Sequence, residues 1–221
     1  MDRRIFLKGV LAGGALSLSG IDRLAAREMR RVVPASGTSL SKPAKSEQDL
    51  ADALIAQAKT LGATYCDVRL VRMLSESVSA RDNIVTGLSD SESYGMGIRV
   101  IKNGTWGFAA TRSVDLPNGK ITLAEAIAIA ENNSKLQTIP LDLAPVDPVI
   151  SEWKTPIKKN PFEISFKDRA QFLLDMHALG ATASIGGNKL QLNSNLRSVR
   201  EEKYFASSDG SKIWQEVTRI D

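Results

Sequence analysis

The chain has 221 residues, 43% hydrophobic and 24% charged, with a single histidine and a single cysteine. Such a composition buries a real core and excludes a collagen, a disulfide scaffold and a wholly disordered chain. The net charge of +4 is concentrated at the front: residues 1–31 hold seven basic and three acidic groups, leaving 22 of each sign over residues 32–221. A neutral body lacks the concentrated basic face that nucleic-acid binding needs, and His177 with Cys66 cannot assemble a His/Cys metal cluster from this chain alone.

Residues 1–31 read as an export address. A charged start precedes an apolar stretch from Val10 to Leu18, which Gly13 and Gly14 dilute. It is too short to span a bilayer and fits the n- and h-regions of a signal. Arg3-Arg4-Ile5-Phe6-Leu7-Lys8 resembles the twin-arginine motif, with Asp2 where Ser or Thr is usual. Arg3 and Arg4 are therefore the expected targeting residues. The expected location is periplasmic or extracellular, with membrane contact only during export. The alternative is a basic amphipathic terminus on a cytosolic protein. Leu24-Ala25-Ala26 is a partial cleavage site.

Residues 32–45 form a linker with Pro34, Gly37 and Pro43. Ser39-Leu40-Ser41-Lys42 matches S-x-x-K, but no K-T-G follows it, so it carries no chemistry. Residues 46–138 form the first unit. Ser46 with Asp49 is expected to cap a helix whose stripe is Leu50, Leu54, Ala58 and Leu61, ending at Gly62. Strands are expected at about 64–73, 75–81 and 84–88. Cys66, Val68 and Leu70 alternate on one strand face, which makes Cys66 a small core residue rather than a reactive thiol. Asp90-Ser91-Glu92-Ser93 reads as a solvated acidic loop without calcium-site spacing. Tyr94, Met96, Ile98 and Val100 alternate into an Asn103-Gly104 hairpin, and Trp106 and Phe108 lie on the return strand. Gly95-Met96-Gly97 lacks the third glycine and the helix of a dinucleotide fingerprint. These glycines instead admit Trp106 or Phe108 close to the sheet. Thr122 with Glu125 is expected to cap a second helix, with Ala124, Ile127, Ala128 and Ala130 apolar.

Residues 139–161 hold five of the eight prolines and read as a connector. Residues 162–221 read as the start of a second unit. Ser165 with Asp168 caps a third helix with Phe172, Leu173, Met176 and Leu179 on its apolar face. Gly180, Gly186 and Gly187 end it. His177 falls at the edge of that face, as a flank residue rather than a catalytic base. Strands follow at about 189–200, 202–207 and 211–220, with a turn at Asp209-Gly210. The expected fold class is α+β: helices packed on a largely antiparallel sheet, then a second α+β unit that stops early.

Three stretches carry a resemblance. They are Tyr65-Cys66-Asp67-Val68-Arg69-Leu70, then Gly95 to Val100 with Asn103 to Thr111, then Glu201 to Ser211. In this order they resemble the N-terminal half of the TldD/PmbA family, also called modulator of DNA gyrase and peptidase U62. The resemblance covers about residues 46–221. It implies a zinc metallopeptidase family acting on flexible polypeptides, with two subunit types that pair and the metal in only one. The family's H-E-x-x-x-H helix, with two histidines five residues apart around a general-base glutamate, has no counterpart here. No catalytic, cofactor or metal residue is carried over. The chain is expected to be a scaffold or part of a substrate groove, inactive alone, and partnered in a homo- or hetero-oligomer. The alternatives are a non-catalytic PmbA-like partner subunit and a free-standing peptide-binding module.

Overall fold

A computed structural model describes residues 42–185 and 188–221. The export address with Arg3 and Arg4, residues 32–41 of the linker, and Gly186 and Gly187 lie outside the described residues. The element order is α1 (Lys45–Thr60), β1 (Tyr65–Arg81), β2 (Ile84–Lys102), β3 (Thr105–Thr111), α2 (Leu116–Asn133) and β4 (Ile150–Lys154). A short 3-10 turn at Pro161–Glu163 precedes α3 (Phe166–Ala181), a minimal β5 (Ser184–Ile185) and β6 (Asn188–Lys189), then β7 (Asn193–Ser207) and β8 (Lys212–Ile220).

Six strands form one sheet in the order β3-β2-β1-β7-β8-β4. All neighbours are antiparallel except β4, which runs parallel to β8. The α+β class is as expected. After the connector, β7 hydrogen-bonds directly beside β1 and β8 beside β7, in the same sheet as the strands before it. The connector itself supplies β4, which the proline count had concealed.

Side chains alternate across a strand, so residue parity assigns them to faces. On β1 the inward phase is Cys66, Val68 and Leu70 at one end and Val78 and Ala80 at the other, all buried. Helices α1 and α2 cover the first end. Ala51, Leu54 and Ala58 of α1 and Leu123, Ala126, Ile127 and Ala130 of α2 join Met96, Ile98, Val100 and Ala206 in one core. Helix α3 covers the other end, with Leu173 packed on Val78 and Ala80.

Several expectations need correction. Helix α1 starts earlier than expected, at Lys45 with Ala44 rather than Ser46 as its N-cap: the Ala44 amide donates to the Glu47 carboxylate at 2.7 Å. Leu61 is the C-cap and is exposed, while Gly62 adopts the left-handed conformation expected of it (φ 82°). The segments 64–73 and 75–81 are one 17-residue strand. The acidic stretch Asp90–Ser93 is strand, not loop: Asp90 pairs Glu76 and Ser91 pairs Ser75. A backbone ladder holds polar residues in register once its partner strand continues. Strands 189–200 and 202–207 likewise merge into β7.

Helix α2 begins six residues before Thr122. Asp115 caps it by accepting the Asn118 amide at 2.8 Å, and the Thr122 hydroxyl donates back to the Asn118 carbonyl instead. Its buried stripe contains Leu123 and Ala126; Ala124 and Ala128 face solvent. The Ser165 cap of α3 is present, with the Asp168 amide donating to Ser165 Oγ at 3.1 Å. Its inward face differs: Arg169, Leu173 and His177 are buried, whereas Phe172, Met176 and Leu179 are each just over 50% exposed. The strand surface beneath α3 presents Glu76, which draws Arg169 inward and sets the helix rotation.

Of the close glycine approaches, Gly97 behaves as expected, with Phe108 Cε2 3.1 Å from where a Cβ would stand. Gly95 faces the Thr111 carbonyl instead. Trp106 turns to Tyr65, edge to face at 5.7 Å, and to the Arg99 guanidinium at 4.5 Å. Cys66 is buried, and burial pushes its thiol up to about 12, so it is protonated and inert at neutral pH.

Candidate functional site

Between the two apolar clusters the helix-covered face carries a belt of charge. The inward phase that reads Cys66, Val68, Leu70 continues as Arg72 and Glu76 before returning to Val78. On β7 it reads Arg200, Glu202, Tyr204, and on β8 Trp214, Glu216. Register brings these together in two rows. Leu70, Tyr204 and Trp214 stand side by side across β1, β7 and β8. In the next row Tyr94, Arg72, Glu202 and Glu216 stand side by side across β2, β1, β7 and β8. These positions are up to 144 residues apart, from Arg72 to Glu216, and only the sheet joins them.

These rows, without the fully buried Glu216, floor a cleft of about 230 Å³. Pro43, Ala44 and Glu47, at the start of α1, form its rim. Tyr94 donates a short hydrogen bond to Glu47, and its phenol is pushed well above its usual range by burial and by that carboxylate. The Arg72 guanidinium lies over the Tyr94 ring at 4.6 Å and reaches Glu92 at 3.7 Å. Glu216 is fully buried and paired with Lys154 at 2.8 Å. Arg200 donates to Asn160 Oδ1 at 2.9 Å and covers Phe162. The buried Arg200 Nε has no partner among the described residues, but each of these charged side chains makes at least one polar contact.

Glu202 does not. It is 8% exposed, and its Oε1 has no hydrogen-bond partner among the described residues. Glu216 stands directly opposite on β8, a like-charge pair that opposes ionisation. Burial first, then Glu216, push the Glu202 carboxyl up to about 7. The folded state thus holds a proton that the unfolded state releases near 4.5. Stability is therefore lost as pH rises between those values. Glu202→Gln, which removes that ionisation, is expected to raise Tm at pH 8 and leave it nearly unchanged at pH 4.5. Thermal melts at the two pH values check this; an equal shift at both would mean that Glu202 carries no ionisation penalty.

The opposite sheet face holds a wider, open depression of about 720 Å³ between Tyr65, Arg99 and Trp106 and the connector at 141–146. Arg99 on its wall is already paired: buried Asp67 meets Arg99 Nη2 at 2.8 Å and Arg69 Nε at 3.1 Å. Burial and Asp67 push the Tyr65 phenol up to about 12. The smaller cleft is the better candidate because its buried carboxylate, Glu202, has no ion-pair partner among the described residues, whereas Asp67 has two. The inward phase of polar residues on β1, β7 and β8 was its one signal in the sequence.

His177 is buried, not at a flank, and neither ring nitrogen has a partner among the described residues. Among the described residues no three His, Cys, Asp or Glu side chains converge to fit a zinc ion. Cys66 lies under α1 and α2, in a different cluster from the one beneath α3. No hydrolytic step follows from these residues.

Residues 66–134 match the family model of PmbA/TldA metallopeptidase domain 1. This span runs from β1 through α2 and holds Arg72 and Tyr94 of the cleft. A metalloprotease of Synechocystis is 32% identical over 108 residues, 48% of this chain and 22% of that protein. A metalloprotease of Methanocaldococcus jannaschii is 21% identical over 155 residues, 70% of this chain and 34% of that one. TldE from Thermococcus kodakarensis superposes with a TM-score of 0.56 at 19% identity, over 77% of this chain and 37% of its own. A Thermotoga maritima protein described as a proposed modulator of a DNA gyrase gives 0.56 at 14%, over 78% and 38%. The chain thus spans about a third or less of the metalloproteases it matches. At these identities the structural likeness shows the fold: among the described residues, three helices on a six-stranded, mostly antiparallel sheet.

Proposed function

We propose that this chain is the front part of an exported TldD/PmbA-family metallopeptidase and contributes scaffold and substrate groove, with zinc held by residues outside it. The observation that carries this is the match of residues 66–134 to the first domain of that metallopeptidase family. Two relatives named metalloproteases support it, each extending well beyond the matched region. Pairing with a second TldD/PmbA-like subunit and action on flexible polypeptides are parts of the same proposal. Export rests on Arg3, Arg4 and the apolar stretch behind them.

The test is intact mass and elemental analysis of the native protein from the exported fraction. The expected polypeptide is longer than 221 residues and contains zinc, while the 221-residue chain purified alone binds none stoichiometrically. One tightly held zinc on the short chain would overturn the division of labour. A native 221-residue product without zinc or peptidase activity would instead favour a peptide-binding module.

A further inference from the structure

We propose that the cleft between the start of α1 and the β1-β7-β8 floor binds a primary ammonium group on an aliphatic stem, with Glu202 as its counter-ion. The proposal stands independently of the metallopeptidase reading, because it uses only side chains of this chain.

The argument starts from unequal pairing. The groups facing Glu202 are Arg72 from β1, Glu216 from β8, Lys154 from β4, Arg200 from its own strand and, at the rim, Glu47 from α1. Two of the cations are engaged with other carboxylates: Lys154 holds Glu216, and Arg72 lies over Tyr94 toward Glu92. Arg200, outside the cleft lining, donates through Nη2 to Asn160, and its buried Nε has no partner among the described residues. Glu47 is occupied by Tyr94 and by the Ala44 amide. What the cleft lacks is one hydrogen-bond-donating cation beside Glu202. Buried carboxylates persist when a charged donor satisfies them.

The walls fit such a group. Tyr204 and Trp214 line the cleft in the row next to Glu202, and aromatic faces attract cations. The Tyr204 hydroxyl, also buried, has no partner among the described residues. Leu70 gives an aliphatic stem an apolar contact. The volume of about 230 Å³ lies under the roughly 300–1,000 Å³ typical of whole small-molecule pockets. It suits a chain end or a single side chain. A lysine side chain and a peptide N-terminus share this chemistry.

The test titrates the full chain with n-butylammonium at pH 8, following the Trp214 and Tyr94 resonances, with n-butanol as the uncharged isostere. Butylammonium is expected to shift both signals and n-butanol to leave them in place. Glu202→Gln, checked by circular dichroism for an unchanged fold, is expected to weaken binding roughly tenfold or more, the scale of a lost charged hydrogen bond. In the unmodified chain, affinity is expected to fall between pH 8 and pH 6 as Glu202 takes up a proton. Absence of any shift, equal binding of butanol, or unweakened binding by Glu202→Gln overturns the proposal. Acetyl-lysine amide and alanyl-alanine amide then separate the sources: binding of the first assigns a lysine side chain, binding of the second an N-terminus.

Discussion

Gly107→Ala is expected to lower stability by about 3–5 kcal/mol, placing it among the most damaging single substitutions in the chain. Gly107 lies on β3 where the strand runs directly under α2. A Cβ there would stand 1.8 Å from the Ala126 carbonyl oxygen and 2.7 Å from the Ala130 nitrogen. Both are helix backbone, so no rotamer change relieves the clash. The helix cannot retreat cheaply either. The Thr105 hydroxyl donates to the Ala130 carbonyl at 2.5 Å, and the Asn133 amide donates to the Trp106 carbonyl at 2.9 Å. Moving α2 away would break these bonds and open the packing around Leu123, Ala126 and Ala130. Overpacking usually costs about 1–3 kcal/mol, and the excess here comes from an immobile neighbour. Against a typical total of about 5–15 kcal/mol, such a loss removes much of the stability. Urea unfolding measures it. Gly97→Ala is the control, because its neighbour is the Phe108 ring, 55% exposed and free to swing aside. A Gly107→Ala cost no greater than that of the control would contradict the argument.

Arg169→Ala is expected to cost about 3–5 kcal/mol, for an electrostatic reason. Arg169 is 3% exposed and reaches from α3 to Glu76 on β1. It also donates to the Ile164 carbonyl at 2.9 Å and stacks on Phe166 at 4.9 Å. Truncation leaves the Glu76 carboxylate without its counter-ion in a largely desolvated place. The small apolar cluster around Val78, Ala80 and Leu173 would not offset this loss. The effect should be local first: hydrogen exchange is expected to accelerate in α3 and around Val78 before it does in α1 and α2. The double variant Arg169→Met with Glu76→Gln should recover most of the stability, since no charge is then left unpaired. Equal damage in the single and double variants would mean that α3 is held by packing alone.

The charged belt explains why parts of the molecule were legible in the sequence and others were not. Local signals carried far. The Ser165–Asp168 cap, the Asn103-Gly104 and Asp209-Gly210 turns and the Gly62 stop all act through bonds within a few residues, and all stand where the sequence put them. Cys66, Val68 and Leu70 reached the core because strand alternation is itself local. Those features established the α+β class and the inertness of the lone thiol.

Other features depend on what lies across the sheet. The Asp90–Ser93 segment is polar enough to be a loop, yet the ladder to β1 extends it. The rotation of α3 follows Glu76, 93 residues away from Arg169, rather than its own most apolar stripe. The cleft is the extreme case. Arg72, Glu202 and Glu216 are unremarkable charges in the chain, and only the register of three strands sets them side by side. The sequence determined which residues turn inward through backbone periodicity. The tertiary structure decided which of those inward charges find partners, because pairing at a few ångströms is a property of long-range register.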